Sequence, residues 1–213
     1  MIYQAAGNRC AVNLKEMNLP ISDDIEIRGI LSDKGFQEID VDISALAKSL
    51  VGVAQWKLPS RQCDAPQYFD CASFVKWIYA QRGITIPRRC IQQFEFCRSR
   101  ARILDRDEVF CPGDLLFVTS PFVHGKRTDE HNGIGHVCLV IDNGDVVCAT
   151  NSEFGLGVVK IPFHQICATR KICGAGRIIP REAELVTFLT PSHREIETSD
   201  DVRCIVLQTL EKR

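Results

Sequence analysis

Two apolar runs joined through Asp142-Asn143-Gly144-Asp145 limit the folds open to this chain more than any other feature. Gly135-His136-Val137-Cys138-Leu139-Val140-Ile141 leads into the turn, and Val146-Val147-Cys148-Ala149-Thr150-Asn151 leads out of it. Asn-Gly between β-prone runs signals a hairpin, because both residues tolerate the positive φ that matches the twist of the flanking strands. Upstream, Cys111-Pro112-Gly113-Asp114 reads as a turn into a buried strand, Leu115-Leu116-Phe117-Val118. Strands are therefore expected to dominate from Leu115 to about Ile179.

The stretch Tyr68-Phe69-Asp70-Cys71-Ala72-Ser73-Phe74-Val75 has the other period. Phe74, Val75, Ile78 and Tyr79 recur at helical spacing, and Gly83 supplies a stop, which predicts a helix over 72–83. Cys71 then sits at the head of a helix, where free amides and the positive end of the dipole favour a thiolate. Only the thiolate attacks carbonyl carbon usefully, so Cys71 is the candidate nucleophile. His136, near the start of an apolar strand, is the candidate general base.

Four blocks in order resemble the NlpC-type cell-wall peptidases, a branch of the papain-like cysteine hydrolases. They are Phe69-Asp70-Cys71-Ala72-Ser73-Phe74-Val75, Ile86-Pro87-Arg88-Arg89-Cys90-Ile91-Gln92-Gln93, Pro112-Gly113-Asp114-Leu115-Leu116-Phe117, and His136-Val137 through Asn143-Gly144. The resemblance implies an α+β fold, a papain-like core with the nucleophile at a helix N-terminus packed on an antiparallel sheet that carries the base. It implies hydrolysis of an amide bond in peptidoglycan-derived peptides, of the γ-D-glutamyl–diamino acid type, through a thioester on Cys71, with no metal or other cofactor. Asp70 matches the residue that pairs with a substrate's free α-amine. Ser73, Cys90 and Trp56 complete the expected substrate-contacting set, Trp56 at a looser spacing.

The departures concern the site itself. Where the family has histidine, asparagine or glutamine as third catalytic residue, this chain has Cys148, and a thiol is a weak donor and acceptor for orienting an imidazole. A two-residue turn at Asn143-Gly144 sets Asn151 across from His136 as a substitute, whereas a three-residue loop puts Cys148, opposite Cys138, on that face. Cys90 stands where the family commonly has serine. These changes keep two alternatives open: a catalytically weakened binding or scaffolding protein of the same fold, or an acyltransferase or deamidase sharing the thioester step.

The domain expected over 44–180 is preceded by an N-terminal extension, 1–43, in which Ile25–Leu31 and Gln37–Val41 read as short strands before a helix from about Ser44. It is followed by a tail, 181–213, expected to dock on the core. Between Leu116 and His136, the polar loop 119–135 carries His124, Lys126, Arg127, Asp129, Glu130 and His131 and ends at the proposed base, suiting a lid. A net charge of −1 over 213 residues gives no support for nucleic-acid binding, and no apolar run is long enough for a membrane. With neither signal peptide nor C-x-x-C pair, and an odd eleven cysteines, a cytoplasmic location with reduced thiols is expected and zinc is not. The partner is a peptidoglycan fragment or other peptide; oligomeric state is left open.

Overall fold

The computed structural model describes residues 2–21, 23–105, 107–120, 133–181 and 184–213. The chain runs through β1 (Arg9–Asn13), α1 (Asp24–Asp33), β2 (Gln37–Ile39), α2 (Ile43–Ser49), β3 (Gln55–Trp56), β4 (Tyr68–Phe69), α3 (Cys71–Gln81) and α4 (Cys90–Arg100). It continues through β5 (Arg102–Ile103), β6 (Leu115–Thr119), β7 (Ile134–Val140), β8 (Val146–Ser152), β9 (Gly155–Ile161), α5 (Phe163–Thr169), β10 (Ile172–Arg177), β11 (Leu185–Leu189) and α6 (Ser199–Leu210). Two compact units result, one from the described residues of Ile43–Ile78 and Ile86–Arg181, the other from those of Met1–Asp42, Tyr79–Thr85 and Glu182–Arg213.

In the first unit a six-stranded antiparallel sheet has the order β5-β10-β6-β7-β8-β9. Residues 115–118 of β6, 137–140 of β7 and 146–149 of β8 are continuous buried apolar runs, as strands covered on both faces require. Leu116, Val118, Cys138, Val140, Val146, Cys148, Ile161 and Ile166 form one buried cluster, while Phe117 packs edge-on against Phe94 of α4 with ring centroids 5.2 Å apart. Gly174 and Gly176 let α4 lie close to β10, since a Cβ at these positions would come within 2.8 Å of Phe94 and 2.5 Å of Cys97.

The turn before β6 is held by a buried ion pair. Arg177 donates from Nε to Asp114 Oδ1 at 2.9 Å and from Nη2 to Oδ2 at 2.7 Å, while the Cys111 N–H also donates to Asp114 Oδ2 at 2.7 Å. Gly113 takes φ 94°, and its N–H meets Val140 O at 2.9 Å, tying the Pro-Gly-Asp turn to the end of β7. The Gly113-Asp114 and Gly176-Arg177 motifs thus serve one structural joint.

In the second unit β11 lies between β1 and β2, pairing Cys10 with Phe188 and Glu38 with Phe188 from its two sides. Cys10, Val12, Ile27, Ile30, Leu31, Phe36, Val186, Phe188, Val202 and Val206 make its core. The tail segments are therefore built into the same unit as the N-terminal extension. Ile25–Leu31 is helix, not strand: Asp23 caps α1 by accepting from the Ile25 N–H at 2.9 Å, and Ile27, Ile30 and Leu31 fall on one buried stripe. Alternation of charge and isoleucine over a short window mimicked the period of a strand. Gln37–Ile39 is the strand expected there, and the helix expected from Ser44 is α2.

Gly83 ends α3 with φ 79°, and a Cβ there would lie 2.6 Å from Ala11 N and 2.7 Å from Cys10 C. Gly83→Ala is expected to lower stability by more than about 2 kcal/mol, the left-handed conformation alone costing an L-residue about 1–2 kcal/mol before backbone is displaced. Urea denaturation of the two proteins measures it.

Candidate active site

Residues 70–73 explain why α3 starts where it does. The Ser73 N–H donates to Asp70 Oδ1 at 2.8 Å, and the Asp70 N–H donates to Ser73 Oγ at 2.9 Å, a reciprocal cap. Cys71 thereby becomes the first residue of an eleven-residue helix, half-buried, with the dipole's positive end beside it. The Asp70 carboxylate is buried and takes three further bonds: Ser60 N–H to Oδ2 at 3.0 Å, Arg88 Nη1 to Oδ1 at 2.9 Å, and Arg88 Nη2 to Oδ2. Asp70 and Ser73 thus first build the helix start, and a substrate amine would be a further partner of an occupied carboxylate.

Trp56 is brought to the same place by a parallel pairing in which β3 lies against β4 with Trp56 opposite Phe69, two residues before Cys71. Cys90 opens α4, and from the next turn Gln93, fully buried, donates its side-chain amide to Ala72 O at 3.0 Å and Pro87 O at 2.9 Å. Gln93 therefore ties the start of α4 to the start of α3. Burial, and then the nearby Cys71, push the Cys90 thiol up to about 12, so it remains a neutral thiol beside Cys71.

Across the hairpin Leu139 pairs with Val147 and Val140 with Val146, around a short 3-10 turn at Asp142–Gly144. This is the register of the three-residue loop. It carries Cys148 to Cys138 and His136, the three offering ligand atoms within 4.8 Å of one another. Asn151 is not brought to the site: it is exposed and pairs with Leu156 of β9. The two-residue turn that would have set it against His136 is not formed, because Asp142 joins the turn instead of ending the strand.

His136 hydrogen-bonds both Cys148 and Cys71. Burial alone would lower its pKa, but the charges of Cys148 and then Cys71, together with those hydrogen bonds, raise it to about 10. Cys148 moves the opposite way: the hydrogen bond with Cys138, the imidazolium and, more weakly, Arg170 outweigh its burial and bring it down to about 5. Cys138, whose own pKa burial and Cys148 push well up, keeps its proton and is the donor in that bond. The third residue is thus a thiolate facing an imidazolium, and a charge-assisted bond orients the ring far better than the neutral thiol expected from the sequence.

Cys138, Arg170, Arg88 and Gln93 were absent from the sequence-derived site. Cys138 had a signal, standing two residues from His136 on one strand; Arg170 had none, lying at the end of α5 and acting on Cys148 only through its charge. Of the lid residues, His124, Lys126, Arg127, Asp129, Glu130 and His131 lie outside the described residues.

Residues 56–166 match the model of the NlpC/P60 family, a span that includes Trp56, Asp70, Cys71, Ser73, Cys90, His136, Cys138, Cys148 and Asn151. Over 115 residues, 54% of this chain, it is 30% identical to a probable endopeptidase p60 of Listeria innocua and 29% identical to that of Listeria seeligeri. The chain spans about a fifth of the length of these relatives, 21% and 18%. Among solved structures it is similar to an NlpC/P60 family protein of Bacillus cereus, at 25% identity and TM-score 0.50, covering 65% of this chain and 40% of that one. NlpC2 of Trichomonas vaginalis, at 18% identity and TM-score 0.50, covers 63% of this chain and 45% of its own, and shows the shared papain-like fold.

Proposed function

The chain belongs to the NlpC/P60 family, and from that premise we propose that it is a cysteine endopeptidase of peptidoglycan-derived peptides, cutting a γ-D-glutamyl–diamino acid type bond. The observation that carries this reading is the imidazole of His136 hydrogen-bonded at once to Cys71 and Cys148. The Cys71 sulfur attacks the carbonyl carbon, and the proton held on His136 passes to the departing amine, leaving a thioester. Water then adds to the thioester, giving His136 its proton, and Cys71 leaves as the acid product forms. The Cys71 backbone N–H, free at the helix start, is a donor suited to the oxyanion. Cys148 acts as positioning residue, and Trp56, Cys90, Ser73 and Asp70 line the substrate's amino side.

An odd count of eleven cysteines without a C-x-x-C pair suits a reducing compartment, and we place the substrate there as small muropeptides with free amino ends. Among the described residues no helix is long and apolar enough to cross a membrane. Wild type and Cys71→Ala incubated with muropeptides bearing free or acetylated amino ends, with products followed by mass, test the reading. Cleavage by wild type alone supports it, restriction to free amines supports the contact with Asp70, and cleavage by neither protein removes the peptidase reading.

Two further outcomes are expected. The rate kcat/KM stays level between about 5, where falling pH protonates Cys148, and about 10, where rising pH deprotonates His136. Cys148→Ala lowers kcat by about 10²-fold and brings the alkaline limb to lower pH, because the anion that raised the imidazole is gone. Cys148→Asn, which restores a neutral acceptor, recovers much of the rate without moving the limb back. An unshifted limb in Cys148→Ala would show that Cys148 does not act through His136.

A further inference from the structure

His136, Cys138 and Cys148 form the one group of potential metal ligands found among the described residues, and their ligand atoms lie within 4.8 Å of one another. Their arrangement follows from the sheet. His136 and Cys138 are two apart on β7, and Cys148 comes from the neighbouring strand at the place where the hairpin register sets it opposite Cys138. Cys138 and Cys148 are fully buried, and His136 is partly exposed, leaving a route from solvent.

We propose that these three side chains form a binding site for a zinc-class divalent cation, and that occupancy silences Cys71. The donor set selects the ion: two sulfurs and one imidazole suit soft, tetrahedral Zn²⁺, whereas Mg²⁺ and Ca²⁺ require oxygen ligands. Bond lengths of about 2.3 Å to sulfur and 2.0 Å to nitrogen need ligand atoms about 3.5–3.8 Å apart, so with every separation within 4.8 Å no pair has to close by more than about 1.3 Å on binding. Both sulfurs coordinate as thiolates and the ring as neutral imidazole, their remaining protons leaving to solvent. The cation's two charges are then matched by two thiolates, a neutral assembly inside an apolar cluster. Three protein ligands leave the fourth position for water.

The silencing follows from imidazole chemistry. A neutral ring has one nitrogen that accepts and one that carries hydrogen. A metal on the accepting nitrogen leaves only an N–H, so the ring can neither take a proton from Cys71 nor pass one to a leaving amine. This half of the proposal rests on the hydrolase reading; metal binding does not. Sequence spacing argued against zinc because the pattern lacks paired C-x-x-C, yet antiparallel strands assemble ligands that no linear spacing displays.

Titrating the reduced, metal-free full chain with Co²⁺, with Mg²⁺ and Ca²⁺ as controls, tests the site. A thiolate-to-cobalt charge-transfer band saturating at one ion per chain is expected, with Zn²⁺ displacing the cobalt. Cys71→Ala, which lacks the nucleophile, keeps the band and thereby separates metal binding from hydrolysis. Cys138→Ala and Cys148→Ala, checked for folding by circular dichroism, weaken binding at least about 100-fold. Should either variant fail to fold, X-ray absorption of zinc-loaded wild type reads the shell directly, two sulfurs and one imidazole nitrogen being expected. A shell without sulfur, or a band unchanged in both variants, overturns the proposal. In a muropeptide assay one equivalent of Zn²⁺ abolishes wild-type cleavage and a chelator restores it; full activity in the zinc-loaded protein overturns the silencing alone.

Discussion

His136→Ala is expected to reduce kcat/KM on a muropeptide by at least about 10⁴-fold, approaching the loss in Cys71→Ala, because removing either partner of a nucleophile–base pair costs nearly as much as removing both. In the proposed mechanism the imidazole carries the proton that must reach the leaving amine, and it hydrogen-bonds both Cys148 and Cys71. Deleting it leaves Cys148 and Cys71 without their cationic partner, so Cys148 is expected to take up a proton across the neutral range. The double variant Cys71→Ala/His136→Ala should be scarcely slower than either single variant, the non-additivity of residues that act as one unit. Rapid alkylation of Cys71 in the wild type, lost in His136→Ala, would locate the effect in the reactivity of the Cys71 sulfur. Cleavage in His136→Ala within about tenfold of wild type would sink the assignment of the base.

Much of this site was legible because its signals are local. The turn-rich segment before Cys71, the helical period of Phe74, Val75, Ile78 and Tyr79, and the apolar runs around Asp142-Asn143-Gly144 each specify an element without reference to the rest of the chain. The register did not follow, since Asn151 and Cys148 compete for one place and the difference is whether Asp142 joins the turn. The ionisation of Cys148 was less visible still. It depends on Cys138, His136 and Arg170 converging from separate positions, and a cysteine read by itself is a small buried apolar residue. In the second unit the error had a different cause: Ile27, Ile30 and Leu31 satisfy a helical stripe, but with the exposed Ile25 added the seven-residue window also passes for a strand until Asp23 is seen as a cap.

The largest loss of stability away from the reacting atoms is expected at Asp114. Its side chain and that of Arg177 are almost wholly buried, and their fork-to-fork pairing has bonds of 2.9 and 2.7 Å. Arg177 also donates to Val109 O at 3.1 Å and has Glu108 Oε1 3.9 Å from Nη1, and Asp114 receives the Cys111 N–H, so charge pairing and hydrogen bonding reinforce each other. Asp114→Ala leaves a buried guanidinium with only the longer 3.9 Å contact to Glu108 and frees the Cys111 amide, and roughly 3–5 kcal/mol of stability should go with it. Against a domain stability of about 5–15 kcal/mol, that is a large share of the whole. Asp114→Ala/Arg177→Met removes both charges together and should recover a good part of the loss, since an apolar pair avoids the desolvation that the lone cation suffers. Urea midpoints of the wild type, both single variants and the double variant form a cycle with a coupling of about 2 kcal/mol or more. Additive midpoints would mean that the two side chains act independently. The consequence for the site is geometric: Asp114 heads β6, β6 pairs Val118 with His136, and loosening that joint should raise KM and lower kcat together even where the protein remains folded.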